Sequence, residues 1–431
     1  MRFTKILWLA LFVGLLNGQI YVYFSKSVNP AYARGEVANG NVPLDTVVAN
    51  LVGRAQHSID FCFYNLLSDK VVDSLISAHN RGVHIRVITE ASHRDNWSFV
   101  ELESHGIPVI DDTTGPNSGY GYMHNKFMVV DFRDSTDTAD DWILSGSHNL
   151  QDPDWGENYI VIRSHELARA YTLEFEEMWG GRGDSPVPSN CRFGTRKTDN
   201  TPHSFVVDGI PIQLYFSPSD NSLSKVIDAV KTADYEIDFC ILAFTRQDLC
   251  DTMRNRWGEG VMVQGVFDRA DWLGTYSKSR DMTGLSGNIW VPPAPVYCDS
   301  LPETLHHKYM IIDVQYPESD PILITGSMNW SNRGNNTNDE NTLIIHNYRV
   351  ANLYLQEFVA RYEEAGGDYD GYIVGDVNGS GSLNNSDLIY LANYLFSGGP
   401  APQPLWSGDV NGDAHVTPSD LVILAHLLYG R

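Results

Sequence analysis

His124-Asn-Lys-Phe-Met-Val-Val-Asp131 and His306-His-Lys-Tyr-Met-Ile-Ile-Asp313 both read H-x-K-x4-D, 182 positions apart. Other blocks recur in the same order. Ser58-Ile-Asp-Phe-Cys-Phe63 answers Glu236-Ile-Asp-Phe-Cys-Ile241 at an offset of 178. Gly146-Ser-His-Asn149 answers Gly326-Ser-Met-Asn329 at 180, and Glu157-Asn158 answers Glu340-Asn341 at 183. Ile20-Tyr-Val-Tyr-Phe-Ser25 resembles Ile212-Gln-Leu-Tyr-Phe-Ser217. A nearly constant offset over ordered blocks means an internal duplication.

Each copy alternates apolar strand-like runs with helical patterns, which predicts an α/β layered domain. In the first copy, strands are expected at Ile20–Phe24, Ser58–Phe63, Val83–Thr89, Phe127–Asp131, Trp142–Leu144 and Tyr159–Ile162. Helices are expected at Leu44–Gln56, Asp69–Asn80, Arg94–Ser104 and His165–Trp179, and the second copy ends in a helix at Val350–Glu364. The resulting map is a leader over 1–18, a first half over 19–179 and a linker over 180–205. A second half follows over 206–365, then a linker over 366–374 and a small module over 375–431.

On a strand, residues two apart face the same way, so the His and Lys of each motif project together. Asp131 and Asp313 have opposite parity and are expected to brace the fold. This residue set suits attack on phosphorus. One imidazole can be the nucleophile and another can protonate the leaving oxygen. Two Lys and two Asn can hold the non-bridging oxygens as charge develops. A Glu behind each imidazole would fix its tautomer. One copy carries one such His, so the chemistry requires both motifs in one cleft.

At these residues the chain resembles the phospholipase D superfamily, the HKD phosphodiesterases, over roughly residues 19–364. The resemblance implies two duplicated α-β-α layered halves related by a pseudo-twofold axis. It implies a two-step reaction through a phosphohistidine, without a catalytic metal. Carried over by motif, the catalytic set is His124, Lys126, Asn149 and Glu157 with His306, Lys308, Asn329 and Glu340. His124 takes the nucleophile's role and His306 that of acid and base. Ser147 and Ser327 would complete the motif turns and support the phosphate oxygens, and Asp131 and Asp313 the scaffold. The spare His307 has the wrong parity for chemistry.

The chain of 431 residues has 54 acidic and 30 basic side chains, a formal net charge of −24. That argues against a general nucleic-acid coat protein or a basic membrane-surface binder. It leaves room for one phosphate site lined by a few cations. A secreted phospholipase D releasing a lipid head group is the leading expectation. Tyr120, Tyr122, Trp155, Trp272, Trp290, Tyr309 and Trp330 lie near the motifs and fit an apolar substrate. The alternatives are a secreted nuclease of the same superfamily and a non-catalytic scaffold with a decayed site.

From Asp368 onward the composition changes to seven Asp, no Glu and one Arg. Two twelve-residue loops, Asp376–Asp387 and Asp409–Asp420, each precede an apolar helix, Leu388–Phe396 and Leu421–Tyr429. Oxygen-bearing side chains at positions 1, 3, 5 and 12 are what a hard Ca²⁺ ion needs. The candidate ligands are Asp376, Asn378, Ser380, Ser382 and Asp387, then Asp409, Asn411, Asp413, His415 and Asp420. Ala414 stands where the turn glycine of such loops belongs. The segment resembles a type I dockerin over about 372–431, which implies two Ca²⁺ ions. It also implies a cohesin partner, contacted around Asn385, Ser386, Pro418 and Ser419.

Arg2 and Lys5 precede an apolar run, Ile6–Leu16, in the manner of an export signal, so a secreted or cell-surface protein is expected. Cys62 and Cys240 read as buried thiols, and one disulfide is expected among Cys191, Cys250 and Cys298. No CxxC pair, Walker loop, dinucleotide fingerprint or serine-hydrolase elbow occurs at a credible position.

Overall fold

The computed structural model describes residues 20–429, apart from 135–136, 152–154, 286–287, 370–373, 381, 403–404 and 414. The expected leader over 1–18 and Ala414 lie outside the described residues.

The first half builds seven strands: β1 (Ile20–Phe24), β2 (Ser58–Phe63), β3 (His84–Thr89), β4 (Val109–Asp111), β5 (Lys126–Val130), β6 (Trp142–Gly146) and β7 (Asn158–Arg163). The second builds β8 (Ser204–Val207), β9 (Ile210–Ser217), β10 (Glu236–Ile241), β11 (Met262–Phe267), β12 (Val296–Cys298), β13 (Lys308–Ile312), β14 (Ile322–Gly326) and β15 (Glu340–His346). The sheet orders are β1-β7-β6-β5-β2-β3-β4 and β8-β9-β15-β14-β13-β10-β11-β12. Apart from the added β8 the two orders correspond strand for strand. In both sheets the middle pairs are antiparallel, and the β2-β3 and β10-β11 pairs are parallel. The fold is thus a duplicated mixed α/β architecture. β4 and β12, three residues each, were too short for the sequence pattern to register.

Every residue of β2 and of β10 is buried, as expected for strands covered on both faces. Helices Leu44–Arg54, Asp69–Asn80 and Trp97–Ser104 cover one face of the first sheet, with Val48, Leu75 and Phe99 fully buried there. Corresponding helices Ser222–Val230 and Gln247–Gly258 cover the second sheet. The other faces share one core. Phe24, Phe127 and Tyr171 pack in it with Leu343, Tyr354 and Phe358. Burying aromatic side chains of this size contributes roughly 1.5–3 kcal/mol each. Two helices sit in that shared layer, His165–Trp179 and Tyr348–Glu364. Each is started by a side-chain cap, Ser164 accepting from Leu167 N and Asn347 accepting from Val350 N.

The connecting stretch after Trp179 is packed rather than free. Lys197 is buried between Glu174 and Asp339, 3.0 Å from the latter and donating to Ser217 O at 2.9 Å. Asp184 pairs with Arg133 at 2.6 Å. The expected disulfide is absent, since all five cysteines are free thiols. Cys191 lies in the shared central core and Cys250 in the outer layer of the second half, so packing keeps them apart.

The C-terminal module has its own small core of Val374, Val377, Leu391, Val410 and Leu424. Its helices are Asn385–Ser397 and Pro418–Tyr429. No helix among the described residues is long and apolar enough to cross a membrane.

Candidate active site

β5 and β13 lie in the middle of their sheets, and each H-x-K motif runs into its strand from the N-terminal side. The Lys opens the strand and the His precedes it by two residues. The residues before each strand pair with the opposite half. Met123 bridges Asp339, and His124 N donates to Asp339 O at 3.0 Å. Leu305 bridges Gly156, and His306 N donates to Gly156 O at 2.8 Å. Asp339 and Gly156 immediately precede Glu340 and Glu157, so the crossed backbone pairing delivers each carboxylate to the other half's imidazole. His124 Nδ1 lies 2.8 Å from Glu340 Oε2, and His306 Nδ1 lies 2.6 Å from Glu157 Oε1. His306 Nδ1 is also 3.1 Å from Ser147 O. A carboxylate at Nδ1 sets the proton there and leaves Nε2 as the reactive nitrogen.

Lys126 Nζ donates to His124 O and Lys308 Nζ to His306 O, each at 2.5 Å. Both lysines are buried, at 0% and 2% exposure, and both feel Glu157 and Glu340. Burial pushes the Lys126 ammonium down to about 7, against the pull of the two carboxylates. Burial, then the Lys126 charge, holds Lys308 well below its ordinary range. His124 is pushed down to about 4 by burial, with Glu340 pulling the other way. His306 falls well below its usual value through burial, then the charges of Lys308, Lys126 and His124. Two lysines and two imidazoles therefore crowd one buried pocket, each with its charged form disfavoured. An entering anion relieves that penalty.

Asn149 follows β6 and Asn329 follows β14, and each carries a buried side-chain Oδ1 with no hydrogen-bond partner among the described residues. The glycine of each Gly-Ser-x-Asn turn is required by close approach of the neighbouring strand. A Cβ on Gly146 would lie 2.2 Å from Asn158 O, and one on Gly326 2.3 Å from Asn341 O. Ser147 and Ser327 complete these turns. Both are fully buried. The Ser147 Oγ accepts from Asn158 N at 3.1 Å; the Ser327 Oγ accepts from Asn341 N at 3.1 Å and donates to Glu340 at 2.7 Å. They close the turns and hold the carboxylate strand.

Asp131 and Asp313 sit away from the pocket, at left-handed backbone positions that Asp tolerates (φ 66° and 53°). Asp131 accepts from the amides of Gln56, His57 and Ser58, and Asp313 from those of Asp234, Tyr235 and Glu236. His307 is fully buried against Asn158 (2.9 Å) and Glu357 (3.2 Å). Its counterpart Asn125 meets Asn341 at 3.1 Å, so the middle residue of each motif ties the halves together.

Aromatic groups border the pocket unevenly. The Tyr64 ring lies edge-on to His124 at 5.1 Å, with Lys126 Nζ 5.0 Å from its centroid. Trp155 tilts against His306 at 5.1 Å, and Arg333 covers Tyr122 at 5.2 Å. Of the other expected aromatics, Trp290, Tyr309 and Trp330 are core residues, Trp272 packs on Phe267, and Tyr120 is exposed. Tyr64 escaped the sequence reading. It directly follows β2, and its counterpart in the second copy is Leu242.

In the C-terminal module, Asp376 Oδ1 accepts from Ser380 N (2.9 Å) and Asp409 Oδ1 from Asp413 N (3.0 Å). Asp387 accepts from Asn378 N and Asn384 N, and Asp420 from Asn411 N and Thr417 N. Burial, then the neighbouring Asp376 carboxylate, raises the Asp387 pKa. Carboxylates held this close in an oxygen-rich loop fit a hard dication. Asn378, Asn411 and Asp413 belong to the same loops, with Ser382 and His415 at position 7. There the main-chain carbonyl is the usual ligand, and the His415 side chain is exposed.

A family model described as cardiolipin synthase, PLD-like domain, matches residues 48–179 and 226–362. A second, dockerin type I domain, matches 374–429. A mitochondrial cardiolipin hydrolase of Xenopus tropicalis is 28% identical over 131 residues, 30% of this chain and 58% of that protein. A phospholipase D of Rickettsia felis is 29% identical over 127 residues, 29% of this chain and 58% of that protein. The chain thus spans a little over half the length of these curated relatives. A phosphatidylserine synthase structure from Haemophilus influenzae matches with a TM-score of 0.54 at 14% identity, over 75% of this chain and 83% of that one. At that identity the likeness concerns the fold.

Proposed function

The chain belongs to the family of PLD-like domains, both halves being matched, and from that premise we propose that it is a phosphodiesterase of phospholipase D type. Its substrate is a phospholipid head-group phosphodiester. The observation that carries this reading is the pair of crossed His–Glu contacts, at 2.8 and 2.6 Å, around two buried lysines.

The reaction has two steps. His124 Nε2 attacks phosphorus and forms a P–N bond, while the head-group oxygen leaves with a proton from His306 Nε2, which His306 takes up as the anionic diester enters. Water then attacks the phosphorus as His306 takes back a proton. The P–N bond breaks, which frees His124 and a phosphomonoester lipid. Glu340 steadies the cation that forms on His124, and Glu157 does the same for His306. Lys126, Lys308, Asn149 and Asn329 hold the non-bridging oxygens. Tyr64, Tyr122 and Trp155 offer an aromatic border to an apolar ligand, and the net charge of −24 disfavours a polyanion. The relatives' own names, cardiolipin hydrolase and phospholipase D, support a lipid.

The same reading makes the protein exported, with its C-terminal module docking onto a cohesin-type partner. Asp376, Asn378, Ser380 and Asp387 would hold one Ca²⁺ ion, and Asp409, Asn411, Asp413 and Asp420 a second. The ions would neutralise carboxylates that otherwise repel. The test of function is purified protein on phosphatidylcholine vesicles and on single-stranded DNA, with His124→Ala beside it. Head-group release that His124→Ala abolishes supports the reading. Cleavage of DNA alone replaces it with the nuclease, and activity surviving in His124→Ala overturns the mechanism.

A further inference from the structure

The two carboxylates behind the imidazoles are not held alike. Glu340 Oε2 accepts from the Ser327 hydroxyl at 2.7 Å, and Oε1 accepts from the Asn338 side-chain amide at 3.0 Å. At the matching point before Glu157 the chain has Trp155, whose ring lies against His306 instead. Glu157 has a different companion, the third imidazole His148, with Nε2 3.1 Å from Glu157 Oε2. His148 is 4% exposed, and its ring stands edge-on to Tyr159 at 5.6 Å. Its main-chain oxygen accepts from the Tyr159 hydroxyl at 3.1 Å. The second copy puts Met328 at this place, buried with its sulfur near the Ser217 hydroxyl at 3.4 Å.

We propose that His148 is a positioning residue for the proton-transferring imidazole: it anchors the far oxygen of Glu157, whose near oxygen orients His306. The inference rests on the proposed assignment of His306 as acid and base. One carboxylate bridging two imidazoles is fixed at both oxygens, as Glu340 is fixed by an amide and a hydroxyl. The geometry delivers the same restraint to both halves by different residues. Loss of the anchor lets Glu157 rotate and misdirects His306 Nε2, leaving His124 and its own carboxylate in place.

A test that separates positioning from folding uses the leaving group. The kcat/KM value reports P–N bond formation. Methyl p-nitrophenyl phosphate expels an acidic phenol that needs no proton from His306. Methyl phenyl phosphate expels a poorer leaving group that does. In the full-length protein, His148→Met is expected to leave kcat/KM on the nitrophenyl ester within about twofold. It should lower kcat/KM on the phenyl ester roughly ten- to a hundred-fold, as loss of an imidazole's supporting partner does elsewhere. His148→Gln, which restores an amide donor like that of Asn338, should recover most of the loss. Equal losses on both esters, no loss on either, or failure of His148→Gln to rescue overturns the proposal. His306→Ala is run alongside. If it spares the phenyl ester, the assignment of His306 itself has failed. If it impairs that ester while His148→Met does not, only the present inference falls.

Discussion

Glu340 holds His124 at 2.8 Å although 216 residues separate them, while the carboxylate of His124's own half, Glu157, holds His306. The site is therefore interleaved. Neither His124 nor His306 finds its Nδ1 carboxylate in its own half, which is a physical reason for the duplication. Glu340→Gln should cripple His124 while leaving the first half's sequence intact. An amide in place of the acid in a comparable hydrolase arrangement lowers kcat on the order of 10⁴-fold. A loss of that order with an unchanged circular dichroism spectrum supports the crossed pairing. A variant with near-normal turnover contradicts it.

In the proposed reaction the first step deposits the phosphoryl group on one imidazole, and the motif order gives that role to His124. Burial keeps the ring neutral down to about pH 4, so its Nε2 lone pair is available across the working range. His306→Ala should stall the second step. Treated with an activated diester, that variant should accumulate an acid-labile phosphate, mapped by mass spectrometry of an alkaline digest to the peptide containing His124. An adduct on any other residue reassigns the nucleophile.

Lys126 sets a limit on the alkaline side. Its ammonium, buried and lowered to about 7, loses its proton as pH rises through neutrality, and with it one of the charges facing the phosphate. kcat/KM, which reports the free enzyme, should fall above about pH 7. kcat should fall at higher pH, because the bound anion favours the charged form. Lys126→Arg, whose charge does not titrate in this range, should weaken activity and remove that limb. A flat profile to pH 9 in the parent protein contradicts the assignment.

Much of this site was legible because duplication repeats its parts. Two H-x-K motifs, two Gly-Ser-x-Asn turns and two following glutamates placed the pocket on neighbouring strands. The alternation around them gave the α/β layers. The crossing was not legible. Glu157 and Glu340 occupy equivalent places, and only the backbone contacts of Gly156 with Leu305 and of Asp339 with Met123 decide which imidazole each one meets. Tyr64 and His148 were hidden for the opposite reason, since Leu242 and Met328 replace them in the second copy and a search for repeats discards what does not recur. Ser147 and Ser327 recur, yet their hydroxyls serve strand amides, a role that spacing cannot tell from phosphate binding.

The aspartates that close the two motifs make a prediction about stability rather than chemistry. Asp131 accepts from three consecutive amides, at 2.7 Å for His57 and 3.0 Å for Gln56 and Ser58. It does so from a left-handed backbone position. Asp131→Ala strands those donors and strains the backbone, at a cost of about 3 kcal/mol. The urea midpoint should drop accordingly, while kcat of the protein still folded should stay within about twofold of the parent value. A selective loss of kcat without a shift of the midpoint would place Asp131 in the chemistry instead.

Removing divalent cations should separate the two parts of the molecule. In the C-terminal loops burial, and after it the Asp376 carboxylate, raises the pKa of Asp387, and a bound dication relieves that repulsion. In the catalytic pocket the charges facing the phosphate belong to Lys126 and Lys308, so chelation removes nothing from the proposed chemistry. Excess EDTA should therefore melt the module carrying helices Asn385–Ser397 and Pro418–Tyr429. Calorimetry of the full chain would show this as an early transition that added Ca²⁺ abolishes. Initial rates of diester hydrolysis in the same samples should stay within about twofold, the phosphate contacts being charge-assisted hydrogen bonds from side chains. Hydrolysis that stops with EDTA and returns with a metal would transfer the oxygen-holding role from the two lysines to an ion.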